Sequence, residues 1–319
     1  MGLGCSADPP AEVVQEPPTV KPDLPVEHNG FSAHGMVRVP GGTVRLGPRH
    51  GSPEATPEHA PPPGSFVSRP PQAVQASLWT SRAGMGLETR LAKVEPFLID
   101  RTEVTQLAYA GFVEDAGYRP PHVAEPWADD GWNWQGSRGP EGREDHPVTL
   151  VSYYDARAYC TYRGKRLPTE AEWQIAALGP EDARRVYPWG SRYNGERMNH
   201  GQLEAPFFDS TDGYERTAPV GQYPKGRSAF GLDDAFGNAW EYTADFRVDD
   251  WKDARHEGFD ASGAMINASA AGPGLRVAVR GGSFYFDFRP NPAGEWSAFV
   301  PESRRKSAGF RCAADLRSK

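Results

Sequence analysis

Glycine and proline supply 35 and 31 of the 319 residues, about a fifth of the chain, and no other feature limits its fold as much. Proline has no N–H to give to a helix or a strand ladder, and glycine loses the most entropy on ordering. Long uninterrupted elements are therefore excluded, and with them a coiled coil or a plain helical bundle. A hydrophobic content of 38% with nine tryptophans still provides a core. These features predict a loop-rich domain whose turns rest on glycine and proline.

The prolines are not spread evenly. Residues 6–35 hold six of them and almost no large apolar side chain, so ordering this segment would bury too little surface to offset its entropy. Residues 1–35 are read as an N-terminal Pro-rich tether, and 36–319 as the domain. A second stretch at about 48–71 holds eight prolines and is read as a surface insertion in that domain. Leu3-Gly4-Cys5 resembles the end of a bacterial lipoprotein signal, which would make Cys5 a lipid anchor, although no basic or apolar signal region precedes it here. Met1-Gly2 followed by Ser6 also fits N-myristoylation, and Cys5 as an ordinary tail residue is the third reading. The lipoprotein reading is preferred because a flexible tether follows the cysteine directly. It implies an extracytoplasmic, periplasmic or cell-surface location.

Lys and Arg number 35 against 42 Asp and Glu, a net charge of −7. Such a chain has no general attraction to phosphate backbones, and no basic run is long enough to supply one, so nucleic acid is not an expected partner. No apolar stretch approaches the ~20 residues of a transmembrane helix.

Three helices are signposted. Thr105 to Gly117 carries Leu107, Ala110 and Val113 at three-residue spacing. Ser152 and Asp155 open the second as N-cap and returning carboxylate, and Gly164 ends it. Thr169-Glu170-Ala171-Glu172 is a capping box that opens the third, burying Trp173, Ala176 and Ala177. Strands are expected at 36–46, 96–100, 148–151, 275–280, 283–288 and 308–314, with Gly41-Gly42 as a tight hairpin turn. There is no βα alternation and no phosphate-binding glycine motif, so a nucleotide-binding α/β fold is unsupported.

Several motifs then follow in a fixed order. Pro40-Gly41-Gly42 and Phe97-Leu98-Ile99-Asp100-Arg101-Thr102-Glu103-Val104-Thr105 come first. His146-Pro147-Val148, Gly164-Lys165-Arg166-Leu167-Pro168-Thr169-Glu170-Ala171-Glu172-Trp173 and Pro188-Trp189-Gly190 come next. The series ends with Gly237-Asn238-Ala239-Trp240-Glu241, Arg280-Gly281-Gly282-Ser283 and Gly309-Phe310-Arg311-Cys312. It resembles the formylglycine-generating enzyme family, also called sulfatase-modifying factor, from about Met36 to Asp315. The resemblance implies a single loop-rich α+β domain, an elaboration of the C-type-lectin-like fold. Most of these residues read as scaffold: Trp173, Trp189 and Trp240 as core anchors, Arg166 and Glu172 as a pair or a cap.

Asp234 and Glu241 flank a turn with free carbonyls, a donor set suited to a hard cation. The resemblance implies structural Ca²⁺ here, on the side chains of Asp234 and Glu241 and the carbonyls of Gly237 and Ala239. It implies a second ion on Asn199, the His200 carbonyl, Asp212 and the Tyr214 carbonyl. The competing reading is Asx turns and caps without metal. The resemblance also implies a disulfide between Cys160 and Cys312, with two buried free thiols as the alternative.

The family's oxidase converts a substrate cysteine to formylglycine with O₂ and a Cu(I) held by two thiolates, the soft ligands Cu(I) selects. Those two positions align here with Phe286 and Asn291, so no copper is expected. The eight histidines (His28, His34, His50, His59, His122, His146, His200, His256) are scattered, with no H-x-x-x-H-x-E, and an iron site is not favoured. Ser283 lies beside the family's groove but brings no partner histidine, and it reads as a hydrogen-bonding strand residue. Asp249-Asp250 and His256-Glu257 read as solvated loop.

In the family this region lines a groove for an extended peptide. Tyr285, Phe286, Phe288, Arg289, Asn291 and Trp296 are therefore the candidate ligand-binding residues, aromatics and arginine being favoured at binding hot spots. Burial of one face, with Phe284, Phe286 and Phe288 in the core, weighs about equally. The preferred function is a catalytically silent family member that binds a peptide or protein partner at the cell envelope. Two others stay open: a metal-dependent oxidase (non-haem iron or copper) acting on a cysteine-containing substrate, and a calcium-dependent lectin-like binder.

Overall fold

The computed structural model describes residues 33–46, 90–124, 126–128, 131–183, 185–202, 210–248, 275–284 and 296–316. Residues 1–32 of the tether, Cys5 among them, and the proline-rich insertion lie outside these residues, while 33–35 lead into the first strand, the Met36 N–H donating to the Ala33 carbonyl.

Chain segment 36–46 forms β1 (Met36–Val39) and β2 (Gly42–Leu46), but these strands do not pair with each other as a hairpin. β2 pairs antiparallel with β3 (Arg90–Val94), and β1 with β4 (Phe97–Asp100). The two segments thus make one long ribbon, bent where Gly41-Gly42 faces Glu95-Pro96. Gly41 and Gly42 have φ of 79° and 138°, and a Cβ on Gly41 would lie 2.4 Å from the Val94 carbonyl oxygen. Only glycine fits that crossing. The Gly-Gly pair is therefore a sheet-to-sheet bend, and 47–89 connects the strands at the ribbon's tip.

β4 is central to a three-stranded sheet, with β1 on one side and the C-terminal strand β9 (Ala313–Asp315) on the other. A four-stranded sheet has the order β7-β6-β5-β8, built from β5 (Trp240–Val248), β6 (Leu275–Arg280), β7 (Trp296–Phe299) and β8 (Ala308–Gly309). β3, β5 and β7 were not legible from local pattern. The expected strand 308–314 is two strands separated by Phe310-Arg311-Cys312. Residues 148–151 form no strand: the Val148 N–H goes to the Val104 carbonyl and that of Leu150 to Arg305, so the bonds scatter instead of forming a ladder. Their apolar side chains are nonetheless buried.

The helices keep their predicted ends. α1 (Gln106–Ala116) starts at Thr105, whose Oγ accepts from the Ala108 N–H, and stops at left-handed Gly117. α2 (Tyr153–Tyr162) and α3 (Glu170–Leu178) both open on complete capping boxes, Ser152 with Asp155 and Thr169 with Glu172. The buried face of α1 differs from the expected one. Gln106, Tyr109, Phe112 and Val113 point inward, while Leu107 is 66% exposed. Aromatics decide the rotation: Tyr109 stacks on Tyr159 of α2 at 5.6 Å, and Phe112 packs on Tyr118 and Tyr162. These rings bury far more surface than one leucine offers.

Cys160 of α2 is bonded to Cys312, with Cα atoms 5.6 Å apart and a separation of 152 in sequence. The bridge ties α2 to the segment leading into β9. No described helix is long and apolar enough to cross a membrane.

Candidate functional site

The Arg280-Gly281-Gly282-Ser283 segment leaves β6 through two left-handed glycines, Gly281 at φ 95° and Gly282 at 73°. It docks on the Gly237-Asn238 turn: the Gly237 N–H donates to the Gly281 carbonyl, and the Phe284 N–H to the Asn238 carbonyl. A Cβ on Gly281 would meet the Ala235 carbonyl at 3.0 Å and the Trp173 ring at 3.2 Å. The exit of the chain towards residue 285 is thereby fixed in direction.

Ser283 is not in a strand. It is fully buried and its Oγ has no hydrogen-bond partner among the described residues, which departs from the reading of it as a hydrogen-bonding strand residue. Phe284 is fully buried as well and stacks on Trp132, centroids 5.9 Å apart and planes 20° apart. The core-facing reading of the alternating phenylalanines thus holds at this first position. Tyr285, Phe286, Phe288, Arg289 and Asn291 lie outside the described residues. Trp296 is described by its backbone alone, opposite Arg280 in the ladder.

Beneath this segment is a buried ionic core. Arg311 grips Glu241 twice, Nε to Oε2 at 2.6 Å and Nη2 to Oε1 at 2.7 Å, and Trp173 Nε1 donates to the same Oε2 at 2.7 Å. Arg311 also donates to the carbonyls of Asp100, Arg101 and Asp233. Glu103 takes a bond from Asn238 Nδ2 on Oε1, while its Oε2 has no hydrogen-bond donor among the described residues and lies 4.0 Å from Arg311 Nη2 as an ion pair. Asp234, left-handed at φ 53°, accepts from the Gly221 N–H. Three buried carboxyls thus gather around one guanidinium. Burial first, then the neighbouring carboxylates, push Asp234 up to about 6 and Glu103 well above the usual carboxylate range.

The two expected calcium clusters differ in fit. Asn199 is 1% exposed and its Oδ1 has no donor among the described residues, although its Nδ2 donates to the Arg216 carbonyl. An amide oxygen held dry and unbonded suits a hard cation. Asp212 lies beside it, accepting from the N–H groups of His200 and Tyr214. At the other cluster Glu241 already takes three donors. Asp234 and Glu103 are the further buried carboxyls there, and burial disfavours their charged forms. Among the described residues, no three His, Cys, Asp or Glu side chains gather as a metal site. Both clusters would therefore depend on carbonyl and amide oxygens. Copper is different, because its family ligands are a thiolate pair. The described cysteines, Cys160 and Cys312, are bonded to each other, so the residues do not fit a thiolate-bound Cu(I).

The scaffold readings are mostly met. Trp173 and Trp240 are buried, and Arg166 holds Glu172 with two bonds while Glu172 also caps α3. Trp189 is only half-buried, stacked on Tyr187 with Arg197 above it, and is less a core anchor than a surface brace.

This arrangement coincides with the comparisons to known proteins. The chain belongs to the sulfatase-modifying factor family: the sulfatase-modifying factor enzyme 1-like domain matches residues 21–316. The formylglycine-generating enzyme of Thermomonospora curvata is 33% identical over 92% of this chain and 97% of its own length. The inactive C-alpha-formylglycine-generating enzyme 2 of Bos taurus is 32% identical over 70% of this chain and 79% of that protein. PvdO from Pseudomonas aeruginosa shares the fold, with a TM-score of 0.58 at 22% identity over 88% of this chain and 94% of that one. The fold is a single mixed α+β domain of that type. The family includes relatives named as enzymes and relatives named as inactive.

Proposed function

We propose that this chain is a sulfatase-modifying-factor-like protein without formylglycine-generating oxidase activity. It binds a peptide or protein partner in the groove beside the Arg280-Gly281-Gly282-Ser283 segment. One observation carries this reading, the cysteine inventory. The chain has three cysteines. Two are consumed in the Cys160–Cys312 bridge, and the third, Cys5, belongs to the N-terminal segment. The positions aligned with the family's copper thiolates hold Phe286 and Asn291, and a benzyl ring and a carboxamide cannot replace thiolates on Cu(I).

What remains is a recognition surface of Tyr285, Phe286, Phe288, Arg289, Asn291 and Trp296. The fixed exit at Gly281-Gly282 supports it as a rigid base from which to present side chains. Calcium on the Asn199–Asp212 and Asp234–Glu241 clusters would act as a structural staple of these loops, and the donorless Asn199 Oδ1 favours the first cluster. The disulfide supports an oxidising compartment, and with it the envelope location and the lipid-anchored reading of Cys5. The test is a peptide-display selection on the intact protein, repeated on the F286A/R289A/W296A variant. Peptides retained by the first and lost by the second support the reading; equal retention by both refutes it.

A further inference from the structure

Five cationic residues from three separate segments follow one another across the surface of a chain whose net charge is −7. Trp189 Nε1 donates to the Arg192 carbonyl at 3.0 Å, and the Arg197 guanidinium lies over the Trp189 ring, 6.0 Å from its centroid. Arg197 Nη1 in turn donates to the Lys225 carbonyl at 3.1 Å, and the two segments are so close that a Cβ on Gly226 would overlap the Arg197 carbonyl oxygen. Arg227, two residues on, shares the Asp233 carboxylate with Arg101, each reaching it through Nε at 2.6 Å. The band is thus continuous from Arg192 to Arg101.

Its positive charge exceeds its negative charge. The buried Asp233 carboxylate serves two guanidiniums whose side chains are 47% and 38% exposed. Asp234 beside it is turned inward, onto the Gly221 N–H. Arg192 and Lys225 are exposed, and among the described residues their side chains make no ion pair. Glu196 is the exposed carboxylate of these segments, so five cations face two carboxylates.

The layout indicates what kind of anion fits. The cations are strung out rather than aimed at one point, so no single small anion touches them all. A long anionic polymer would run past the band onto the rest of a net-negative chain. A layer of separate headgroups meets one face only, and charges further off than about 8 Å are screened at physiological salt. Trp189, half-buried with its N–H already bonded, is the residue type that settles at a lipid–water boundary. We infer that Arg192, Arg197, Lys225, Arg227 and Arg101 form a docking face for an anionic lipid surface, with Trp189 at headgroup level. The face is made of described residues alone and depends neither on the peptide groove nor on a lipid at Cys5.

The test sediments the intact protein with mixed phosphatidylglycerol–phosphatidylcholine vesicles and with pure phosphatidylcholine vesicles, and adds salt, inorganic phosphate or heparin as competitors. The protein is expected to sediment with the anionic vesicles only and to be released by salt. Affinity should fall at least tenfold in Arg192→Glu/Lys225→Glu, whose altered side chains have no ion pair to lose. Lys93→Glu/Arg138→Glu makes the same change in net charge off the band and should bind as the wild type does. Equal loss in both variants reduces the effect to net charge and overturns the face; so does equal binding to neutral vesicles, indifference to salt, or no binding. Release by phosphate at the headgroup concentration assigns the band to a small oxyanion, and tighter binding of heparin than of vesicles assigns it to a linear polyanion. Either result overturns the lipid surface. Arg192→Glu/Lys225→Glu should melt with the wild type; if it melts lower, the lipid selectivity and salt release of the unaltered protein still decide.

Discussion

Reducing the Cys160–Cys312 bond should be the most damaging small change to this protein. The bridge spans 152 residues of sequence. In the chain-entropy account, closing a loop of that length removes unfolded-state freedom equivalent to about 5 kcal/mol at 25 °C, less any native strain. Both cysteines are fully buried, so the reduced thiols would stay in a packed apolar site and the folded contacts would change little. The effect should therefore appear almost wholly as a shift in unfolding. With a guanidinium m-value of about 4 kcal/mol/M, 5 kcal/mol moves the midpoint by about 1.2 M. The assay is a pair of guanidinium titrations with and without dithiothreitol, alongside thiol counting in denaturant. Reduction should raise the thiol count by two, with Cys5 adding one to both counts in protein that carries no lipid there. A midpoint shift below about 0.2 M, or a thiol count that reduction does not raise, would refute the reasoning and remove the redox argument for an oxidising compartment.

Arg311→Met should destabilise the fold by about 3–5 kcal/mol, because it strands Glu241 and Glu103 in the core without their cation; chemical denaturation measures it. Gly41→Ala should cost about 1–3 kcal/mol, since φ is 79° there and the added Cβ would meet the Val94 carbonyl at 2.4 Å. Adding excess EDTA should lower the melting temperature and Ca²⁺ should restore it. Asn199→Ala should weaken that response, and a melt indifferent to both reagents would count against the calcium clusters.

The parts of the molecule that were legible in the sequence are those whose physics is local. Ser152 with Asp155 and Thr169 with Glu172 announce helix starts because each carboxylate returns to a backbone N–H three residues away. Gly117 ends α1 by its own left-handed geometry. Long-range choices were hidden. Gly41-Gly42 looks like a hairpin turn until the 90–100 segment supplies partners for both flanking strands. Leu107 fits a helical stripe as well as Tyr109 does, and only the ring of Tyr159 decides between them. The candidate site divides in the same way. The lack of a thiol pair is read from residue type alone, at Phe286 and Asn291, positions that the family resemblance supplies and that lie outside the described residues. The buried ionic core cannot be read that way, since Glu103, Glu241 and Arg311 lie far apart in sequence and meet only in the fold.

The central claim is that a chain with no free thiol pair at its groove cannot perform the family's oxidation. Copper-loaded protein, incubated in air with a Cys-x-Pro-x-Arg peptide and a reductant, puts this to mass spectrometry most directly. The account predicts that the peptide cysteine is recovered intact, with no aldehyde and no O₂ uptake above a copper blank. Formylglycine in the product peptide, formed in proportion to protein, would contradict it.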